Sequence, residues 1–265
     1  ISGNKVKQNL DQTFGPILWT QYTLHRGVMK MTAQISPLGK RNEKKAHLEL
    51  LLEGKWKRVQ SSAIHEYAST AHFRMENWNE QQPVPFRVVL KDGNEMGEWK
   101  GTIRKDPKNK KTIKLAALSC MKDGAFPNQY LQQNILAQNP DILFFAGDQL
   151  YESNGGYGIV RAYKLADVPR ASLNYLQKYW IFGWSFRDAM RDRPSIVIPD
   201  DHDVYHGNIW GLGGGPVPEG GSRGSDGGYE MHPEWVRMVE RTQVANLPDP
   251  YDPTPVLQNI GVYYT

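Results

Sequence analysis

Residues 113–147 read IKLAALSCMKDGAFPNQYLQQNILAQNPDILFFAG, and this stretch decides the fold. IKLAALS (113–119) and DILFFAG (141–147) are near-continuous apolar runs, the pattern of strands buried on both faces of a parallel sheet. Between them PNQYLQQNILAQNP (127–140) is bracketed by prolines, with Leu131 and Ile135 at i, i+4 and Leu136 beside them. That spacing predicts a helix of roughly 12 residues. Strand, helix, strand is a βαβ unit, and its crossover is expected to be right-handed.

Working outward, a helical stretch over 169–192 carries Tyr175, Tyr179, Trp180 and Trp184 and stops at Pro194. SIVIP (195–199) then reads as a third buried strand, so residues 112–265 are expected to form an α/β domain. Upstream the pattern changes. VMKMTAQIS (28–36), HLELLLEG (47–54), AHFRMEN (71–77) and PFRVVLKDGNEMGEWKGTIRK (85–105) alternate apolar and polar residues with period two. Phe86, Val88 and Leu90 share one face of the last segment, and Asp92-Gly93 marks a hairpin turn. Residues 1–111 therefore predict an antiparallel β-sandwich, joined to the second domain through the polar run KDPKNKK (105–111).

Composition narrows the function classes. A chain of 265 residues with 39% hydrophobic and 23% charged residues can bury a sizeable core, which excludes wholesale disorder. No apolar run approaches the roughly 20 residues that span a bilayer, so no membrane span is expected. ISGNKVKQ at the start lacks the apolar core of a signal peptide. The net charge of +4 is spread along the chain, with KRNEKK (40–45) and RKDPKNKK (104–111) as the dense runs. Such runs read as solvated loops, so nucleic acid is expected at most as a substrate. One cysteine excludes an intrachain disulfide and a multi-cysteine zinc site. GLGGGPVPEGGSRGSDGG (211–228) is too rich in glycine for a regular element and reads as a surface excursion or a loop over a site. NIGVYYT (259–265) alternates like a strand just beginning, so the α/β domain is expected to be cut short at its C-terminus.

The three strand ends carry the chemistry. The first ends at Ser119-Cys120, the second at Gly147-Asp148 with Tyr151 and Glu152 just beyond, the third at Asp200-Asp201-His202-Asp203. Carboxyl ends of parallel strands lie on one edge of a sheet, where ligands bind, so a thiol, a phenol, carboxylates and an imidazole converge there. Three carboxylates within four residues repel one another unless cations compensate them, which predicts a metal site. Clustered carboxylates favour hard cations or a pair of ions sharing a bridging carboxylate. A thiolate and a phenolate suit a ferric ion better than magnesium, and zinc accepts the cysteine and carboxylates with less need of a tyrosine. Paired ions can bind a phosphate ester, deprotonate water and neutralise the leaving oxygen, with His202 placed to protonate that oxygen.

At these residues the chain resembles a known family. LAALSC, PDILFFAGDQLYE and PSIVIPDDHDVYHGN are similar to the motifs of the alkaline phosphatase D (PhoD-like) metallophosphatases, within the calcineurin-like, purple-acid-phosphatase-type superfamily. FRMENW and the stretch running to WKGTIRKDP resemble the β-sandwich that precedes their α/β/β/α catalytic domain. The resemblance implies hydrolysis of phosphate mono- or diesters, small or polymeric, by a hydroxide bridging the metals. It implies Fe3+ bound by Cys120, Asp148 and Tyr151, with Asp148 bridging to Ca2+, or Zn2+ or Mn2+ in their place. Asp201 falls at a metal-binding position, His202 near the scissile ester, and Asp203 where it would orient that histidine. His206 stands where relatives carry an asparagine, which leaves that role to either His206 or Asn208. Family members are exported, many through the twin-arginine route, so a periplasmic or secreted location is implied. The family's later motifs would lie beyond Thr265, and this leaves a second reading open: a non-catalytic binding or structural fragment with an incomplete metal site.

Overall fold

The structure is a computed structural model, and it describes residues 15–37, 44–92, 95–205, 217, 219–220 and 227–249. Seven strands come first: β1 (Ile17–His25), β2 (Val28–Ile35), β3 (Lys45–Leu52), β4 (Lys55–Ala63), β5 (Thr70–Met75), β6 (Val84–Asp92) and β7 (Glu95–Ile103). They form two antiparallel sheets, ordered β1-β2-β5 and β4-β3-β6-β7. Phe86, Val88 and Leu90 are fully buried on one face of β6, and Asp92 pairs with Glu95 across the hairpin. This part of the chain is a β-sandwich.

Two of these strands, β1 and β4, escape the alternation rule for opposite reasons. In β1 every residue from Ile17 to Thr23 is buried. Its even-numbered side chains face the sandwich: Trp99 Nε1 donates to Thr20 Oγ1 at 3.1 Å, and Arg104 N donates to Tyr22 Oη at 2.9 Å. Its odd-numbered side chains face the rest of the molecule. Trp19 packs edge-on against Tyr179 at 5.5 Å, and Gln21 Nε2 donates to Thr242 O at 2.7 Å. A strand covered on both sides has no solvent face to mark with polar residues. β4, by contrast, is an edge strand that buries none of its residues fully, and KWKRVQSSA carries the polar character of such an edge.

The remaining elements are β8 (Leu115–Leu118), α1 (Gln129–Gln138), β9 (Ile142–Ala146), α2 (Val168–Met190), β10 (Ser195–Ile198) and α3 (Pro233–Gln243). The three strands pair in parallel in the order β10-β9-β8. α2 lays an aromatic stripe along this sheet. Tyr175, Tyr179, Phe182 and Phe186 follow one another at helical spacing with neighbouring ring centres 5.4–5.6 Å apart. Phe145 of β9 meets Phe182 edge-to-face at 4.9 Å, a contact worth about 0.5–1.5 kcal/mol beyond its buried area. α3 buries Trp235, Val236, Met238 and Val239 and is capped at its start by His232, whose Nδ1 accepts from Glu234 N at 3.2 Å.

The expectation that residues 113–119 are buried on both faces is corrected. β8 is an edge strand with Leu115 55% and Ile113 48% exposed. Its apolar run reflects a parallel-sheet neighbour on one side, without cover over both faces among the described residues. No helix among the described residues is long and apolar enough to cross a membrane. Residues 104–114 link β7 to β8, yet the buried apolar residues before and after this link form one continuous cluster. The glycine-rich stretch lies mostly outside the described residues, and NIGVYYT wholly so.

Gly183 shows how closely the two parts meet. A Cβ at this mid-helix position would fall inside contact distance of the Trp19 ring. Gly183→Ala should therefore lower the urea midpoint: overpacking costs roughly 1–3 kcal/mol, which outweighs a gain of about 1 kcal/mol in helix propensity. An unchanged or raised midpoint would mean that the ring does not rest on the helix.

His72 makes stability depend on pH. Its ring nitrogens are held by Thr32 Oγ1 at 3.1 Å and Thr70 Oγ1 at 3.0 Å. Burial, helped by the Arg241 charge, pushes its pKa down to about 4. The unfolded chain takes up this proton near the ordinary histidine value, whereas the folded chain resists until about pH 4. Stability is therefore lost as pH falls across that window, by up to about 3 kcal/mol. His72→Gln should flatten the denaturation free energy between pH 6.5 and 4, a change read from urea melts at several pH values.

Candidate metal centre

The ends of β8, β9 and β10 lie side by side because the sheet is parallel, and the backbone keeps them paired past the last strand residue. Cys120 N donates to Gly147 O at 3.2 Å, and Met121 N donates to Asp148 O at 2.7 Å. Both Cys120 (φ 59°) and Asp148 (φ 53°) adopt the left-handed conformation, which costs a non-glycine residue of order 1–2 kcal/mol. Gly147, between β9 and Asp148, has φ 85°, and a Cβ there would run into the Asp200 side chain. Glycine at this position lets the ends of β9 and β10 approach.

The turn that follows aims the side chains inward. Asp148, Asp201 and His202 each bring a ligand atom within 4.8 Å of the others. Asp148 is 7% exposed, and its Oδ1 is buried without a hydrogen-bond partner. Its Oδ2 lies 3.7 Å from Cys120 Sγ. Tyr151 completes the group: burial, with further contributions from hydrogen bonds to Cys120 and Asp148, raises its phenol well above the ordinary range. Burial likewise raises the Asp201 carboxyl, an effect the adjacent His202 opposes. The structure thus brings together Cys120, Asp148, Tyr151, Asp201 and His202. His206 and Asn208 lie outside the described residues.

Two roles differ from the sequence expectation. His202 is oriented by Glu152, whose Oε2 lies 2.8 Å from Nδ1, and its ring packs on Tyr151 at 4.3 Å. Burial alone would lower its pKa, but the Glu152 carboxylate raises it above the ordinary histidine value. Asp203, expected to orient His202, is fully buried and engaged elsewhere. Its Oδ1 accepts from Gln149 N at 3.1 Å and Gln243 Nε2 at 2.9 Å, and its Oδ2 accepts from Asp200 N at 2.9 Å. Burial pushes this carboxyl up to about 7 in spite of those donors. The reason for the exchange is geometric: the short 3-10 turn over His202–Val204 sends consecutive side chains in different directions, Asp203 inward and His202 toward the β9 loop. Glu152 carries a sequence signal of sorts, a carboxylate directly after the tyrosine, but adjacency does not reveal its partner 50 residues away.

The donor set suits a cation. Carboxylates from two strand ends, an imidazole with its Nδ1 fixed, a thiol and a phenol form a mixed hard and soft set, and an orphaned buried carboxylate oxygen lacks only a positive partner.

No protein-family model and no characterised protein matches the sequence. Among solved structures, the chain is similar to one described as FN3tt mut, with 10% identity and TM-score 0.26 over 34% of this chain and 93% of that one. A laminaripentaose-producing β-1,3-glucanase of GH family 64 from Paenibacillus barengoltzii matches at 9% identity and TM-score 0.25, over 40% of this chain and 27% of that one. A β-glycosidase from Bacteroides vulgatus matches at 14% identity and TM-score 0.28, over 69% of this chain and 29% of that one. The chain spans less than a third of either enzyme. Likenesses this slight carry no argument about fold or activity.

Asp203→Ala should strand three N–H donors, two of them buried, and cost roughly 3–5 kcal/mol in chemical denaturation. Asp203→Asn keeps an acceptor and should cost less. Wild-type stability in the alanine variant would remove Asp203 from its place at the centre of the loops.

Proposed function

We propose that this chain is a metal-dependent phosphoesterase of the alkaline phosphatase D type, built as a β-sandwich followed by a metallophosphatase domain. The observation that carries the reading is the cluster of Asp148, Asp201 and His202, with a buried Asp148 oxygen unpaired and the imidazole aimed by Glu152.

Cys120, Asp148 and Tyr151 would hold a ferric ion, and Asp148 and Asp201 a neighbouring calcium or other divalent ion. When bound, such ions grip the phosphoryl oxygens, lower the pKa of water and neutralise developing charge. The chain's own residues do the rest. Glu152 fixes the Nδ1 side of His202, which leaves Nε2 for the ester. A histidine so paired holds its proton at higher pH and can deliver it to the departing alkoxide oxygen. Tyr151 packs against the imidazole and limits its rotation. The substrate class is a phosphate mono- or diester, small or polymeric.

The test is turnover of p-nitrophenyl phosphate and bis-p-nitrophenyl phosphate by iron- and calcium-loaded protein, beside elemental analysis and a visible spectrum. We expect near-stoichiometric iron with a charge-transfer band that is lost in Tyr151→Phe. His202→Ala should lower kcat by about 10²–10⁴-fold, the usual contribution of a positioned acid. Equal, near-zero rates from metal-loaded wild type and His202→Ala would sink the enzyme reading and leave a metal-binding module.

A further inference from the structure

A dianionic ester approaching Asp148, Glu152, Asp200 and Asp201 meets a strongly negative rim, and metal charge is needed first to balance those carboxylates. A protein cation at the rim is therefore worth seeking. Arg161 is committed to Glu230 at 3.7 Å, and Lys178 is buried, with Nζ donating to Asn174 Oδ1 at 2.7 Å and Tyr205 Oη at 2.8 Å. Lys122 differs from both. It lies two residues past Cys120, in the loop whose Met121 N is pinned to Asp148 O and whose Lys122 N closes a turn onto Cys120 O at 3.0 Å. Its Nζ stands 4.7 Å from the Tyr151 ring centre, the same ring that packs on His202. It donates to Ser153 Oγ at 2.7 Å and, among the described residues, has no carboxylate partner. The neighbouring Asp123 is turned away, its Oδ2 accepting from Gly155 N at 2.6 Å.

Building on the phosphoesterase reading, we propose that Lys122 is the substrate-binding cation of this site, contacting the non-bridging oxygens of a bound phosphate. The site's backbone fixes where the side chain starts, while Tyr151 and Ser153 hold its ammonium in place. Exposure leaves the group hydrated until the phosphate arrives, so its contribution is moderate. A charge-assisted contact of this kind is lost at a cost of about tenfold in affinity.

The experiment compares wild type, Lys122→Met and Lys122→Arg, all metal-loaded, by two independent readouts. One is calorimetric binding of inorganic phosphate, and the other is KM and kcat for p-nitrophenyl phosphate. Lys122→Met should weaken phosphate binding and raise KM about tenfold each, with kcat and metal content little changed, and Lys122→Arg should recover most of the loss. Unchanged phosphate affinity in Lys122→Met would overturn the proposal. So would a fall in metal content that accounts for the loss, since Lys122 would then be a counter-ion to the ligands. If wild type binds phosphate through Lys122 but turns nothing over, the cation site stands and the phosphoesterase reading falls. If metal-loaded wild type binds no phosphate, the proposal falls.

Discussion

The buried carboxylate of Asp203 is the constraint on which the rest depends. It receives hydrogen bonds from the chain leaving β9, from the chain leaving β10 and from the end of α3. Each donor belongs to a separate element, so one side chain fixes three loops against one another. Desolvation of a carboxylate opposes this arrangement and is visible as a pKa raised to about 7. The compensation is directional: two backbone N–H groups and one amide close around the two oxygens. Asp201 and His202, just before Asp203, inherit their positions from it.

That constraint reaches the sandwich through Gln243. The same amide that serves Asp203 also donates to Tyr175 Oη at 3.0 Å, while Gln243 O accepts from Gln21 Nε2 of β1 at 3.2 Å. Thr23 Oγ1 donates to Asn246 O, and Asn246 Nδ2 donates to Ser195 O at the start of β10 at 3.0 Å. β1 thus contributes one face to the sandwich and the other to the segment that braces the candidate centre. The sandwich is part of the scaffold of that centre, since removing it would uncover Tyr179 and leave the partners of Gln21 and Thr23 on Thr242, Gln243 and Asn246 unmet.

Much of this was legible in the sequence where a single periodicity governs a segment. β2, β3, β5 and β6 alternate in sequence, although β2 and β3 bury both faces over Met31–Ile35 and Ala46–Leu50, and α1 shows the spacing of a helix with one covered side. β1 was illegible because two unlike surfaces cover it. The burial of β8 was overestimated, since apolar composition reports a strand's tendency and not its place at a sheet's edge. Cys120, Asp148, Tyr151, Asp201 and His202 were legible through the rule that parallel strands end together. Glu152 and Gln243 were not, because their contacts depend on partners set by tertiary packing and no spacing encodes them.

The backbone at the centre adds an independent argument. Two non-glycine residues, Cys120 and Asp148, hold left-handed conformations at neighbouring strand ends, and Asp148 keeps a buried oxygen unpaired. A turn selected for stability alone would place glycine or asparagine at such positions and satisfy the oxygen with an N–H. Here the strain and the unmet hydrogen bond coincide on the residues with the best ligand atoms. A cation bound there would supply the missing partner of Asp148 and relieve the repulsion between Asp148 and Asp201. Preorganisation for such a cation is the reading under which unfavourable local chemistry sits among well-packed surroundings, from Asp203 to the aromatic stripe of α2.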